Sequence, residues 1–236
     1  MIHTELNIPV GVSDFAEIRR GNYYYVDKTG LIRELLKTST VKVTLFTRPR
    51  RFGKSLAMSM LANFFDIRKD SRGLFEGLEI SDEKELCGEW QNRWPTVFLS
   101  FKDVAGMNFN NAYEMLEALT AQIYKEHVYL LDSDAVSVYD KEIFDRIAGK
   151  RASLEEIKNS LLLLTQLLQK HYGRQAILLL DEYDVPMAKA SANGYYEEML
   201  EVMKALLGTA LKDNDALQLA VVTGCLKIAT PPQAIP

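Results

Sequence analysis

The stretch "QAILLLDE", beginning at Gln175, limits the folds open to this chain more than any other segment. From Ala176 to Leu180 the side chains are all apolar, with no polar residue at alternate positions. A strand with one face in water alternates apolar and polar residues, so an unbroken aliphatic run belongs at the centre of a parallel sheet, covered on both sides. Helices must supply that cover, and the rest of the chain has to provide them.

Periodicity along the chain gives the partners. "VKVTLFT" from Val41 is β-branched and aromatic and fits a buried strand, and "TVFLSFKD" from Thr96 and "ALQLAVVTG" from Ala216 read as further strands; Pro95 marks the start of the second. After Lys54, the residues Ala57, Met58, Leu61, Phe64 and Phe65 recur at helical spacing and predict a helix with one buried face. Further helical patterns run through "NAYEMLEALTAQIYKEHVYLL" from Asn111, "SLEEIKNSLLLLTQLLQKHY" from Ser153 and "YYEEMLEVMKALLGTAL" from Tyr195. Ser153 and Glu156 stand in capping-box register at the start of the second of these. Strands alternating with helices predict an α/β fold, a mostly parallel sheet with helices on both faces. No repeat or low-complexity tract interrupts the order.

Composition removes several function classes. The 236 residues are 47% hydrophobic, enough for a substantial core, and the formal net charge of -4 gives no overall basic excess for binding nucleic acid. Cys87 and Cys225 lie far apart without metal-ligand spacing and read as reduced thiols of a cytoplasmic protein. The N-terminus lacks the basic-then-apolar order of a signal peptide, and "SLLLLTQLL" from Ser160 is far short of the ~20 residues of a membrane span. No membrane association is expected.

The first strand runs directly into "TRPRRFGKS". A phosphate loop follows Gly-x-x-x-x-Gly-Lys-[Ser/Thr], and Gly53, Lys54 and Ser55 supply its second half, while Arg48 occupies the place of the first glycine. Phosphate oxygens need inward-pointing backbone N–H groups, a helix N-terminus and a cation. Strand, loop, Gly53-Lys54-Ser55 and helix supply these in order, with Lys54 reaching the outer phosphates and Ser55 ligating Mg²⁺. The candidate nucleotide-binding residues are Arg48, Pro49, Arg50, Arg51, Phe52, Gly53, Lys54, Ser55 and Leu56. Taken alone, the same residues also fit an ordinary loop before an amphipathic helix.

A Mg²⁺-dependent NTPase also needs an acid at the end of a neighbouring hydrophobic strand. Asp181 and Glu182 end the aliphatic run: Asp181 is the candidate metal ligand and Glu182 the candidate base that polarises water. Thr223 ends the fourth strand, where its hydroxyl could touch the γ-phosphate or the water; Thr-Gly is equally an ordinary strand exit. The candidate catalytic residues are therefore Glu182, Lys54 and Thr223.

Residues 1–40 are less regular, with a Gly-Asn turn, the aromatic run Tyr23-Tyr24-Tyr25 and a short helix expected from Thr29. They are expected to form an N-terminal extension packed beside the first strand of the core at 41–236, the tyrosines filling an edge position.

"YYYVDKTGLIRELL", "LFTRPRRFGKSLAMSMLANFF", "ILLLDEYDVP" and "VVTGCLKI" resemble, in that order, the signature segments of the bacterial AAA-ATPase-like family, from about Ile8 to Ile228. The resemblance implies a P-loop NTPase fold of the AAA/STAND type, frequently fused to a C-terminal nuclease-like domain of the PD-(D/E)XK class. That family habitually carries arginine where Arg48 stands. By the same resemblance Gly53, Lys54 and Ser55 correspond to phosphate and metal positions, Asp181 to the metal-holding acid and Glu182 to the catalytic glutamate. Asp27, Lys28 and Thr29 match a "VDKT" segment of that family, for which the resemblance fixes no role and leaves contact with the adenine or the nucleotide edge open.

Arg50 and Arg51 fit two descriptions: charge-stabilising fingers, or loop arginines that are solvated or paired with Asp181, Glu182 or Asp184. After Ile228 the family continues into a helical lid, whereas this chain reads "ATPPQAIP", so the core is expected to lack its last elements. The (D/E)-x-K match Asp82-Glu83-Lys84 is too short to predict a nuclease. Two functions remain open: an ATPase acting on a protein partner, a second copy of itself or, indirectly, a DNA-related process; or a non-catalytic module that binds ATP or ADP. A small-molecule kinase is less consistent with Asp181-Glu182, which suits water activation.

Overall fold

Strand and helix alternate as the pattern requires, and local chemistry sets most of their limits. The computed structural model describes residues 7–37, 42–49 and 52–225. It opens with α1 (Phe15–Arg20), capped by the Asp14 carboxylate on the Glu17 N–H, and α2 (Gly30–Lys37). β1 (Val43–Thr47) leads to α3 (Lys54–Phe65), α4 (Lys84–Trp90) and β2 (Thr96–Ser100). Next come α5 (Phe109–Glu126), α6 (Val138–Ala148), α7 (Leu154–Lys158), α8 (Ser160–Tyr172) and β3 (Ala176–Asp181). α9 (Val185–Asn193), α10 (Tyr196–Leu211) and β4 (Leu217–Gly224) complete the described elements.

The four strands form one parallel sheet in the order β1-β4-β3-β2. The last of the described strands is thus inserted between the first and the third. β3 is buried along its whole length, and its side chains divide between two cores. Leu178 and Leu180 join the layer formed with α5, α8 and α10, while Ile177 and Leu179 join the layer formed with α3. Each of these four side chains is fully buried, which contributes about 1.5–3 kcal/mol apiece. The expected α/β architecture with helices on both faces is what the chain forms.

Several details differ from the periodicity. α3 is buried on every side from Met58 to Phe65, polar Ser59 and Asn63 included, rather than on one face. The cause is the N-terminal segment, whose main contacts are with α3 and the turns at Arg72–Phe75 and Glu79–Asp82 rather than beside β1. The Phe15 N–H donates to Ser59 Oγ at 2.9 Å, and Phe15 packs on Phe75 with ring centroids 4.9 Å apart. On the same outer side, the Asn92 side-chain amide donates to the carbonyls of Asn63 and Asp66 at 3.0 and 3.1 Å.

The helical pattern from Ser153 divides into α7 and α8 at Asn159. The Ser153–Glu156 capping box is present, but the Ser160 hydroxyl turns back onto the Ile157 carbonyl and the Tyr124 hydroxyl takes the Ser160 carbonyl at 2.7 Å. The helix from Asn111 starts earlier, at Phe109, and passes after Glu126 into a 3₁₀ turn at Val128–Asp132. The sequence pattern contains no counterpart of α4, α6 or α9, which are short and bury at most a few side chains. Val41 lies outside the described residues.

His127, at the end of α5, sits in the core with its Nδ1 2.8 Å from the Ile123 carbonyl. Burial, assisted by the Arg68 charge, pushes the imidazole from 6.5 down to about 4. The folded protein therefore holds His127 neutral where the unfolded chain takes up a proton. That contribution is intact above pH 6.5 and is lost as pH falls towards 4. Urea unfolding at successive pH values should show a loss approaching about 3 kcal/mol across this window, and His127→Gln should flatten it.

Candidate phosphate-binding site at the sheet edge

In a parallel sheet every strand delivers its C-terminal end to the same edge, and the loops there form the crevice in which α/β proteins bind ligands. Thr47 of β1 lies opposite Gly224 of β4, and Ser100 of β2 opposite Asp181 of β3. The phosphate-loop candidate and the acidic strand end are one strand apart, with Thr223 between them.

The three candidate polar groups meet directly. The Ser55 hydroxyl donates to Asp181 Oδ2 at 2.8 Å, joining positions 126 residues apart. The Thr223 hydroxyl donates to the other oxygen, Asp181 Oδ1, and accepts the Glu182 N–H at 3.3 Å. Asp181 is only 2% exposed. Among the described residues no lysine or arginine forms an ion pair with it. A buried carboxylate satisfied by neutral hydroxyls alone is costly, and a cation beside it offsets that cost. The donor set fits magnesium in particular, since this hard ion binds through one or two carboxylate or hydroxyl oxygens and completes its shell with phosphate and water. Among the described residues no cluster of three or more His, Cys, Asp and Glu side chains could hold a metal.

The loop itself has the backbone that its sequence demands. Gly53 precedes α3 at φ 75°, ψ 23°, the left-handed region that glycine enters without cost. Arg48 is absent from the positive-φ positions, so no glycine is needed there. The Arg48 N–H donates to the Gly224 carbonyl at 3.3 Å, extending the β1–β4 ladder into the loop. Lys54, at the first position of α3, donates through Nζ to the carbonyls of Arg48 and Pro49 at 2.8 and 3.0 Å and approaches Cys225 Sγ at 3.3 Å. Its ammonium is thereby held inside the loop. Arg48, Pro49 and Phe52 are exposed, while Leu56 packs on the α3 core. Arg50 and Arg51 lie outside the described residues, as do Lys227 and Ile228.

Glu182 adopts φ 54°, a region that a residue with a side chain enters at a cost of order 1–2 kcal/mol. Its N–H is held by Thr223 and its carbonyl by the Val185 N–H at 3.1 Å, so the strain is fixed from both sides. Such strain concentrates at functional sites. Gly224 answers a different need, because a Cβ there would lie 2.7 Å from the Tyr183 ring.

The profile of a family described as predicted AAA-ATPase matches residues 9–231. The chain belongs to this family. Against the AAA-ATPase-like background, one similar protein is described as an uncharacterized protein in the vnfD 5' region of Azotobacter chroococcum mcd 1. It is 29% identical over 226 residues, which is 94% of this chain and 38% of that relative, so the chain spans less than half its length. No solved structure matches.

Two neighbours of this candidate site have no place in the phosphate-loop motif. Cys225 stands at the Lys54 ammonium because β4 pairs with β1, and only its position one residue after Thr-Gly hinted at that edge. Lys28 reaches Gly53 from the N-terminal segment, outside the phosphate-loop motif but within the "VDKT" match. Asp82-Glu83-Lys84 lies at the junction of a turn and α4, where Glu83 pairs with Arg33 at 3.3 Å.

Thr223→Val keeps the shape of the buried side chain but leaves Asp181 Oδ1 and the Glu182 N–H without their partner. Urea unfolding of this variant is expected to show a loss of about 1–3 kcal/mol.

Proposed function

We propose that the chain is a Mg²⁺-dependent ATPase whose nucleotide state acts on a partner. The observation that carries this reading is the Ser55–Asp181 contact at 2.8 Å, with Lys54 adjacent in the same helical turn. A serine and an acid 126 residues apart in sequence meet where a metal-bound triphosphate needs both.

In this mechanism the backbone N–H groups around Gly53, Lys54 and Ser55 bind phosphate oxygens at the positive end of α3. Lys54 exchanges its carbonyl contacts for the outer phosphates, a charge-assisted gain over neutral acceptors. The Ser55 hydroxyl and the Asp181 carboxylate would hold Mg²⁺, which when bound neutralises charge on the phosphate oxygens. Glu182 orients water and accepts its proton as the oxygen attacks the γ-phosphorus, and ADP departs with the bond it breaks. Thr223 acts as a positioning residue: its proton is committed to Asp181, and its oxygen holds the Glu182 backbone. Protein partners, a second copy, or an indirect link to DNA are all compatible with a nucleotide-driven change at this edge.

Mant-ATP titration and phosphate release, measured together, test the proposal. Lys54→Ala is expected to weaken ATP binding at least about tenfold through loss of a charge-assisted phosphate contact. Glu182→Gln should bind ATP like wild type and turn it over about 10²–10⁴-fold more slowly. Wild-type binding without turnover would replace the enzyme with a nucleotide-sensing module. No affinity for Mg-ATP at millimolar nucleotide would sink both.

A further inference from the structure

The segment Asp27-Lys28-Thr29-Gly30 is tied to the turn at Glu79–Asp82 by the side chain or close packing of every member except Lys28. Asp27 accepts the Thr29 N–H at 2.8 Å, the Thr29 hydroxyl at 2.7 Å and the Glu79 N–H at 2.7 Å. Burial works to raise this carboxyl, but the three hydrogen bonds outweigh it and hold Asp27 below the usual carboxylate range. Thr29 is fully buried, and its oxygen accepts the Ile80 N–H at 3.2 Å. At Gly30 a Cβ would stand 2.9 Å from the Glu79 carboxylate, which packs against this position and would have to shift to admit one. Arg33, one turn on, grips the same Glu79 at 2.8 Å.

Lys28 alone takes no part in this clamp through its side chain. It is exposed and, among the described residues, forms no ion pair. Its backbone is pinned between two anchored neighbours. Its ammonium lies 3.6 Å from the point where a Cβ on Gly53 would sit, directly over the left-handed glycine that precedes Lys54. A lysine fixed at its root and presented to a phosphate loop is a charge placed for an anion.

We propose that Lys28 is a second cation of the nucleotide site, contacting phosphate oxygens of a bound nucleoside triphosphate alongside Lys54. The proposal rests on the nucleotide reading of the loop and extends it. Residues 27–30 become part of the site, and the Asp27–Thr29 clamp becomes the device that aims the lysine. A charge supplied from this side favours ligands with more phosphates, so its effect should grow from adenosine through ADP to ATP.

Competition titrations of mant-ATP by ATP, ADP and adenosine, on wild type, Lys28→Ala, Lys28→Arg and Lys54→Ala, test it. Lys28→Ala is expected to weaken ATP about tenfold, ADP less and adenosine not at all, with a shallower dependence of ATP affinity on salt. Lys28→Arg should restore most of the ATP affinity. The melting temperature without nucleotide should stay at the wild-type value in Lys28→Ala and drop in Asp27→Ala, separating the charge from the clamp. Unchanged ATP affinity in Lys28→Ala, where Lys54→Ala has lost it, would overturn the role of Lys28 and leave the nucleotide reading standing. A melting temperature lowered in Lys28→Ala as far as in Asp27→Ala would overturn it in favour of a structural lysine. Absence of ATP affinity in the wild type would overturn the nucleotide reading and the role of Lys28 together.

Discussion

The Asp181 carboxylate, almost wholly buried at the end of β3, is the group around which the sheet edge is organised. Such a charge is tolerable only if its oxygens are satisfied, and the fold brings two hydroxyls from remote parts of the chain to do it. Ser55 arrives on the first turn of α3 and Thr223 on the end of β4. β4 lies between β1 and β3, so Thr223 stands beside Asp181 while Ser55 reaches it across β4 from the helix after β1.

The same cluster connects the two faces of the sheet. β3 and β4 send alternate side chains into the α5/α8/α10 layer and the α3 layer, so Asp181 and Thr223 sit at the seam where both cores end. Immobility on both sides keeps Glu182 in its left-handed conformation, with its backbone held by Thr223 and Val185. On the outer side α3 is enclosed by α1 and by Asn92, which makes the helix bearing Lys54 and Ser55 a buried strut rather than a surface helix. Positioning groups to within fractions of an ångström demands such support.

Much of the architecture is legible from residue types. The unbroken run Ala176–Leu180 implies a strand covered on both faces, and it is buried throughout. Ser153 and Glu156 form the capping box that their spacing allows. Gly53 takes the positive φ that its place in the motif suggests, and Arg48 does not need one. Other features are illegible for physical reasons. The break at Asn159 is accompanied by contacts at Ser160, whose hydroxyl turns back onto the Ile157 carbonyl and whose carbonyl meets the Tyr124 hydroxyl from 36 residues away, and no helical periodicity encodes these. The all-round burial of α3 depends on what packs outside it, and its own spacing of apolar residues points to one face only. The Thr223 hydroxyl looks free to touch a ligand when only its place at a strand end is known; in the fold it is committed to Asp181.

By itself the sequence determined the four strands, the helices α3, α5, α8 and α10, the two-sided sheet and the identity of Gly53, Lys54, Ser55, Asp181 and Glu182 as a candidate set, because these follow from side-chain chemistry and short-range spacing. Tertiary structure alone decided that β4 lies between β1 and β3, that Ser55 and Thr223 share one carboxylate, and that Lys28 stands over Gly53. These are contacts between segments far apart in the chain. They depend on strand order and on how helices stack around it, which hydrophobic pattern constrains only as a class and never residue by residue.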